Sequence, residues 1–172
     1  MSQSVPLSVL NTISVDEFVR ILGGIFEHSP WVAERVAAQR PFANVSALHE
    51  AMTRCIQDAG EAAQLALIRA HPELAGKAAI RGELTPESTN EQAGAGLAHC
   101  SPEEFAALTS LNQAYREKFG FPFILAVRGY DRAGIIEQFQ RRLGLTPEDE
   151  MAESLTQIYR IGRFRLDDLI QE

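Results

Sequence analysis

The chain reads as an all-α protein, a compact bundle of about eight to nine short helices with room for two lobes. Three observations predict this. Apolar residues recur at helical spacing; Ser, Thr or Asp followed by Pro or Glu marks helix starts, with Gly or Pro at the stops; and no stretch alternates apolar and polar residues as a half-buried strand does. The 172 residues, 45% of them apolar, suffice for one hydrophobic core, so residues 1–172 are read as a single domain.

The elements follow in order. Ser14-Val-Asp-Glu17 has the spacing of a capping box, and Phe18, Ile21, Leu22 and Ile25 follow it on one side. Ser29-Pro30 is read as an N-cap with Pro at the first helical position, opening a helix to about Gln39 that stops before Pro41. Ser46 is taken to open the next, with Leu48, Met52 and Ile56 on its inner side and Gly60 beyond its end. Glu61 to Ala70 is rich in Ala and Leu, strong helix formers, and must end near His71 because Pro72 disfavours helical dihedrals in the residue before it. Leu74 to Ile80 is a short helix closed by Gly82. Thr85-Pro86-Glu87 and Ser101-Pro102-Glu103-Glu104 are cap-plus-proline starts, the second helix running to Gly120. Phe121 to Val127 breaks the pattern: a continuous apolar run containing a proline, too short for its own helix, read as an extended buried segment. Asp131 caps a helix to Leu143, and Thr146-Pro147 starts the last, which reaches Ile170.

Composition excludes several functions. The net charge is −7, from 16 basic and 23 acidic residues, whereas a nucleic-acid or membrane-surface protein needs a basic face. No apolar run approaches the ~20 residues of a membrane span. The N-terminus has no basic start and no unbroken apolar stretch, so it is not a signal peptide. Cys55 and Cys100 form neither a disulfide framework nor a zinc motif, and a reducing, cytoplasmic setting is the default. His28, His49, His71 and His99 lie too far apart to place two metal ligands on one helix face, so no metal is expected. Gly94-Ala-Gly96 lacks the lysine and the strand of a phosphate loop.

The densest polar cluster lies between His71 and Gln92. Ser88, Glu91 and Gln92 stand at i, i+3 and i+4, so one helix face offers a hydroxyl, a carboxylate and an amide, an inventory for holding a polar heterocycle. The plainer alternative is a solvated face beside a helix-end histidine. Arg165 is embedded among apolar residues at helical spacing; its ordinary explanation is pairing with Asp168 at i+3. Phe121 to Val127 is most simply core, but an irregular buried segment can also offer backbone N–H and C=O groups to a ligand.

These residues fall into ordered motifs: His71-Pro-Glu-Leu-Ala-Gly76; Leu84-Thr-Pro-Glu-Ser88; Glu91-Gln92 with Ala95-Gly96-Leu97; Leu111-Asn-x-x-Tyr115; Lys118-Phe-Gly-Phe-Pro-Phe123; and Ile161-Gly-x-x-Arg165-Leu166-x-Asp-Leu169. Together they resemble the 2-oxo-4-hydroxy-4-carboxy-5-ureidoimidazoline (OHCU) decarboxylase family of urate breakdown, from about Phe18 to Leu169. The resemblance implies an all-helical, cofactor-free decarboxylase, usually a homodimer, yielding (S)-allantoin and CO2. It implies His71 as the catalytic acid/base, with Glu91 and Arg165 completing the reactive set. Pro72, Ser88, Thr89, Asn90, Glu91 and Gln92, and the backbone of Phe123, Ile124, Leu125, Ala126 and Val127, would hold the ureidoimidazoline substrate, with Thr89 and Asn90 turned away from it. The competing readings are a non-catalytic helical module that binds a ureide or purine-like ligand, and a purely structural interaction domain. Only the decarboxylase turns over OHCU to a product of one handedness.

Overall fold

The computed structural model describes residues 3–172; Met1 and Ser2, at the start of the N-terminus read as lacking a leader, lie outside the described residues. The described residues form ten α-helices and one two-residue parallel strand pair, Val5–Pro6 with Ile170–Gln171, so the class is all-α. The chain divides into two compact units, Met1–Ala70 with Tyr159–Glu172, and His71–Ile158.

The first unit holds α1 (Leu7–Leu10), α2 (Val15–Leu22), α3 (Trp31–Val36), α4 (Val45–Asp58) and α5 (Glu61–Arg69). α3 packs on α2 and α4 around Phe18, Leu22, Phe26, Val36, Leu48, Met52 and Ile56, all buried. The one-turn α1 has no sequence signal of its own, which is why it was not foreseen. Three cap assignments change. The Ser14 hydroxyl accepts from the Glu17 N–H at 3.2 Å, but the Glu17 carboxylate pairs with Arg20 rather than reaching back, so the box is only half formed. Ser29 does not cap α3: its hydroxyl donates to the Glu27 carbonyl at 2.7 Å, and Pro30 occupies the N-cap position. α4 is capped by Asn44, whose side-chain oxygen accepts from the Ala47 N–H at 2.8 Å, two residues before the Ser46 start. Gly60 does end α4, at φ +90°, a conformation that favours glycine.

The second unit holds α6 (Lys77–Ile80), α7 (Pro86–Gly94), α8 (Pro102–Phe119), α9 (Arg132–Leu143) and the first part of α10 (Pro147–Leu169), whose residues divide between the units after Ile158. Here the caps fall as predicted. Thr85, Ser101 and Asp131 accept from the N–H three residues on, and Ser101 with Glu104 completes a reciprocal capping box. The stretch 121–127 is neither helix nor strand and is buried except at Pro122. Phe123 stacks on Phe139 with ring centroids 3.7 Å apart, and Tyr115 meets Phe123 edge-on at 5.4 Å.

Gly162 interrupts the good helix formers of α10 for a packing reason within the first unit. A Cβ there would lie 2.7 Å from Cε1 and 2.8 Å from Cζ of the buried Phe26 ring. Gly162→Ala should therefore destabilise the protein by about 1–2 kcal/mol, the overpacking cost outweighing the helix-propensity gain of ~1 kcal/mol. A thermal melt at neutral pH, read against the wild type, checks this; an unchanged or raised Tm would contradict it.

Candidate active site

His71 follows α5 by two residues, and Pro72 keeps it out of the helix. Despite lying in a connecting segment, His71 is only 7% exposed. The residues behind it form a tight turn. Ala75 has φ +50°, a left-handed conformation costing an alanine roughly 1–3 kcal/mol. Gly76 lies so close to Glu73 that an added Cβ would meet the Glu73 Cβ at 2.8 Å.

Side chains from α7 and α8 hold that turn. The Gln92 carbonyl oxygen accepts from the Ala75 N–H at 3.0 Å, and its amide nitrogen donates to the Glu73 carbonyl at 3.3 Å. The Asn112 amide donates to the Leu74 carbonyl at 2.9 Å, and Arg116 pairs with the Glu73 carboxylate. Asn112 sits on the buried stripe of α8 with Leu108 and Tyr115, and its Oδ1 has no hydrogen-bond partner among the described residues. A buried polar atom left so costs about 1–3 kcal/mol.

α7 presents the predicted polar face. Ser88 and Gln92 are buried, Glu91 is half-buried, and Thr89 and Asn90 are exposed, with the Thr89 hydroxyl donating to the Thr85 carbonyl at 2.9 Å. Each end of the Gln92 amide, though used in the turn, retains capacity for one more bond. A cavity of about 580 Å³ beside this helix is walled mainly by apolar residues, among them Ala79, Ile80, Leu84, Leu97 and Phe105; of the predicted set, Thr89 and Gln92 line it. Its apolar walls do not suit a carboxylated ureide.

The segment Phe123 to Val127 is pinned from α9 and α10. Arg142 donates to the Ile124 carbonyl, and the Gln157 side-chain oxygen accepts from the Ala126 N–H at 3.0 Å. Two of the backbone groups expected to serve a ligand are thus committed to protein side chains. Arg142 is fully buried, stacks over the Phe123 ring at 4.4 Å and pairs with the equally buried Glu150, its Nε 2.7 Å from Oε1. Tyr115 donates to the same carboxylate oxygen at 2.5 Å, and burial, aided by that bond, pushes its phenol well above the usual tyrosine range.

Arg165 belongs to the first unit and is buried there. Its Nη2 meets Glu27 Oε1 at 2.8 Å, and Nη1 lies 3.3 Å from the carbonyls of both Gly24 and Ile25. The Glu27 carboxylate comes from 138 residues away in the chain. Among the described residues no group of three or more His, Cys, Asp or Glu side chains is placed to hold a metal ion. Burial raises both the Cys55 and the Cys100 thiol, keeping them protonated at neutral pH.

Residues 11–167 match the family described as OHCU decarboxylase, a span that takes in every motif above except the last two residues of the final one. The chain belongs to the OHCU decarboxylase family. It is 40% identical over 160 residues to a 2-oxo-4-hydroxy-4-carboxy-5-ureidoimidazoline decarboxylase of Haloferax volcanii, covering 93% of each chain. It is 42% identical over 163 residues to the uric acid degradation bifunctional protein PucL of Bacillus subtilis, covering 95% of this chain but only 32% of PucL. A crystal structure of (S)-allantoin synthase superposes with a TM-score of 0.78 at 30% identity, over 96% of this chain and 54% of that one. The chain therefore spans about a third of PucL and about half of the allantoin synthase chain.

In this chain, sequence reasoning named the polar face, the histidine, segment 123–127 and Arg165 but missed residues that hold the turn, the segment and the arginine: Asn112 at the turn after His71, Arg142 and Gln157 at segment 123–127, and Glu27 at Arg165. A signal existed for two. Asn112 and Arg142 occupy positions where the apolar stripes Leu108–Tyr115 and Ile135–Phe139 predict a hydrophobic side chain. A polar residue on such a stripe is buried and must be bonded.

Proposed function

We propose that this chain catalyses the cofactor-independent decarboxylation of OHCU to (S)-allantoin and CO2, with His71, Glu91 and Arg165 as its catalytic residues. The observation that carries the proposal is family membership across residues 11–167, a span containing all three. The buried His71 ahead of a clamped turn, and the buried Ser88 and Gln92 beside half-buried Glu91, support it.

The chemistry needs no external electron sink. The C–CO2 bond breaks, its electron pair forms a C=C bond to the ureido-bearing carbon, and the adjoining ring C=N bond shifts its pair onto nitrogen, which takes up a proton. The resulting enol takes a proton at the ureido-bearing carbon while its hydroxyl proton is lost, leaving the carbonyl of allantoin. His71 delivers the carbon-bound proton to one face and so sets the handedness; an imidazole, with an ordinary pKa of ~6.5, exchanges protons readily at neutral pH. Glu91 accepts from the 4-hydroxyl or a ring N–H. Arg165, held in plane by Glu27 and the two carbonyls, anchors the departing carboxylate or the developing enolate oxygen. Pro72, Ser88 through Gln92 and the backbone of Phe123 through Val127 hold the ring and the ureido arm. The whole chain acts as one catalytic domain, in the cytoplasm, as a homodimer. No helix of the described residues is long and apolar enough to cross a membrane.

The test is turnover of freshly generated OHCU followed by circular dichroism. The wild type should form (S)-allantoin alone, faster than the spontaneous racemic reaction. Glu91→Gln, isosteric but unable to accept a proton, should lower kcat by about 100-fold or more. A wild type that leaves the rate and racemic outcome unchanged would refute the proposal. Light scattering of the purified chain tests the dimer.

A further inference from the structure

We infer that Asn112 is a positioning residue for His71: through the Leu74 carbonyl it holds the Glu73–Ala75 turn in the one conformation that sets the imidazole for stereospecific proton delivery. The inference rests on the decarboxylase function proposed for His71.

Three facts point to it. First, Asn112 is a polar residue on an otherwise apolar buried stripe, and only one end of its amide is used; its Oδ1 is buried without a partner among the described residues. A side chain selected for packing at that position would be apolar. Second, the end that is used reaches across 38 residues to a single carbonyl, that of Leu74. Third, that carbonyl precedes Ala75, whose φ of +50° no alanine adopts without being held. Gln92 grips the groups on either side, the Glu73 carbonyl and the Ala75 N–H. The Glu73–Leu74 and Leu74–Ala75 peptide groups are therefore tied to two longer helices, and His71 lies two residues before them.

A structural role and a positioning role part company in Asn112→Leu. The substitution removes the unpartnered Oδ1 but leaves the Leu74 carbonyl without its donor, exchanging one unsatisfied buried oxygen for another. Global stability should change little, with Tm within about 4 °C of the wild type. The turn, however, loses its tie. We expect kcat to fall by roughly 10- to 100-fold with KM nearly unchanged, because a displaced acid/base weakens chemistry and not binding. The allantoin formed should also lose enantiomeric excess as spontaneous protonation competes.

Asn112→Asp supplies the second arm, should the leucine variant fold poorly. A carboxylate cannot donate to the Leu74 carbonyl, whereas a neutral carboxyl can. The activity of this variant relative to wild type at the same pH should therefore recover as the pH falls. The His71 ring signals in 1H–15N spectra should shift in both variants, and this reports the clamp even if the wild type proves not to act on OHCU. Wild-type kcat and enantiomeric excess in both variants, or His71 signals unmoved in both, would overturn the inference; a wild type inert toward OHCU with His71 signals that do shift would overturn only the decarboxylase function on which it rests.

Discussion

His71→Asn is expected to abolish accelerated, single-handed formation of allantoin while leaving substrate binding within a few-fold of wild type. The reason lies in what the residue must do. After CO2 departs, the enol is achiral at the ureido-bearing carbon, and the hand of the product is decided by which face receives the proton. Asparagine retains a polar side chain of similar reach and can occupy the buried site without opening a large cavity, but it has no group that exchanges a proton near neutral pH. The loss in kcat should be about 100- to 10,000-fold, the range for removing a general acid/base. Whatever product still forms should be racemic. Circular dichroism during turnover reads rate and handedness together, and titration with a stable ureide reads binding. A His71→Asn variant that still makes one enantiomer at more than a tenth of the wild-type rate would remove His71 from the mechanism. A binding module predicts another outcome, unchanged rates with weakened ureide binding.

What could be read from the chain beforehand depended on how local each interaction is. Thr85, Ser101 and Asp131 were legible as caps because each bonds a backbone N–H three residues away, so residue type and spacing contain the whole interaction. Ser46 is no cap because it lies inside α4, where Asn44 before Val45 takes that place, and Ser29 is none because its hydroxyl turns to the Glu27 backbone carbonyl. The segment 121–127 was legible through its proline and unbroken apolar run, a pattern that satisfies neither helix nor strand periodicity. Its restraint by Arg142 and Gln157 was not, since those partners lie 18 and 31 residues away. Arg165 shows the same limit most clearly. Its carboxylate partner Glu27 lies 138 residues away, where no local rule reaches. His71, Glu91 and Gln92 cluster in sequence, but the roles proposed for them rest on ordered motifs. Spacing alone left a solvated helix face as an equal alternative.

The Arg142–Glu150 pair should show the largest stability effect in the molecule, and it should separate stability from activity. Both side chains are fully buried, and Arg142 spends its donors on Glu150, on the Ser154 hydroxyl at 3.2 Å and on the Ile124 carbonyl. Arg142→Met strands the Glu150 carboxylate in the core, where its Oε2 already lacks a hydrogen-bond partner among the described residues. Removing one member of a buried pair typically costs about 3–5 kcal/mol. For a chain of this size that lowers Tm by roughly 6–20 °C, measurable by calorimetry at neutral pH. Adding Glu150→Leu removes the stranded charge, and because the desolvation of two buried ions offsets much of their attraction, the double variant should regain part of the lost stability, less what the buried Tyr115 hydroxyl loses with its acceptor. It should not regain activity. The Ile124 carbonyl has lost its donor in both variants, so the segment assigned to the substrate is no longer pinned at that end. We expect a raised KM for OHCU in the double variant despite its partly restored Tm. Full recovery of both properties would mean that Arg142 serves only Glu150; failure of the double variant to regain stability would mean that the pair is worth more to the core than apolar packing in its place.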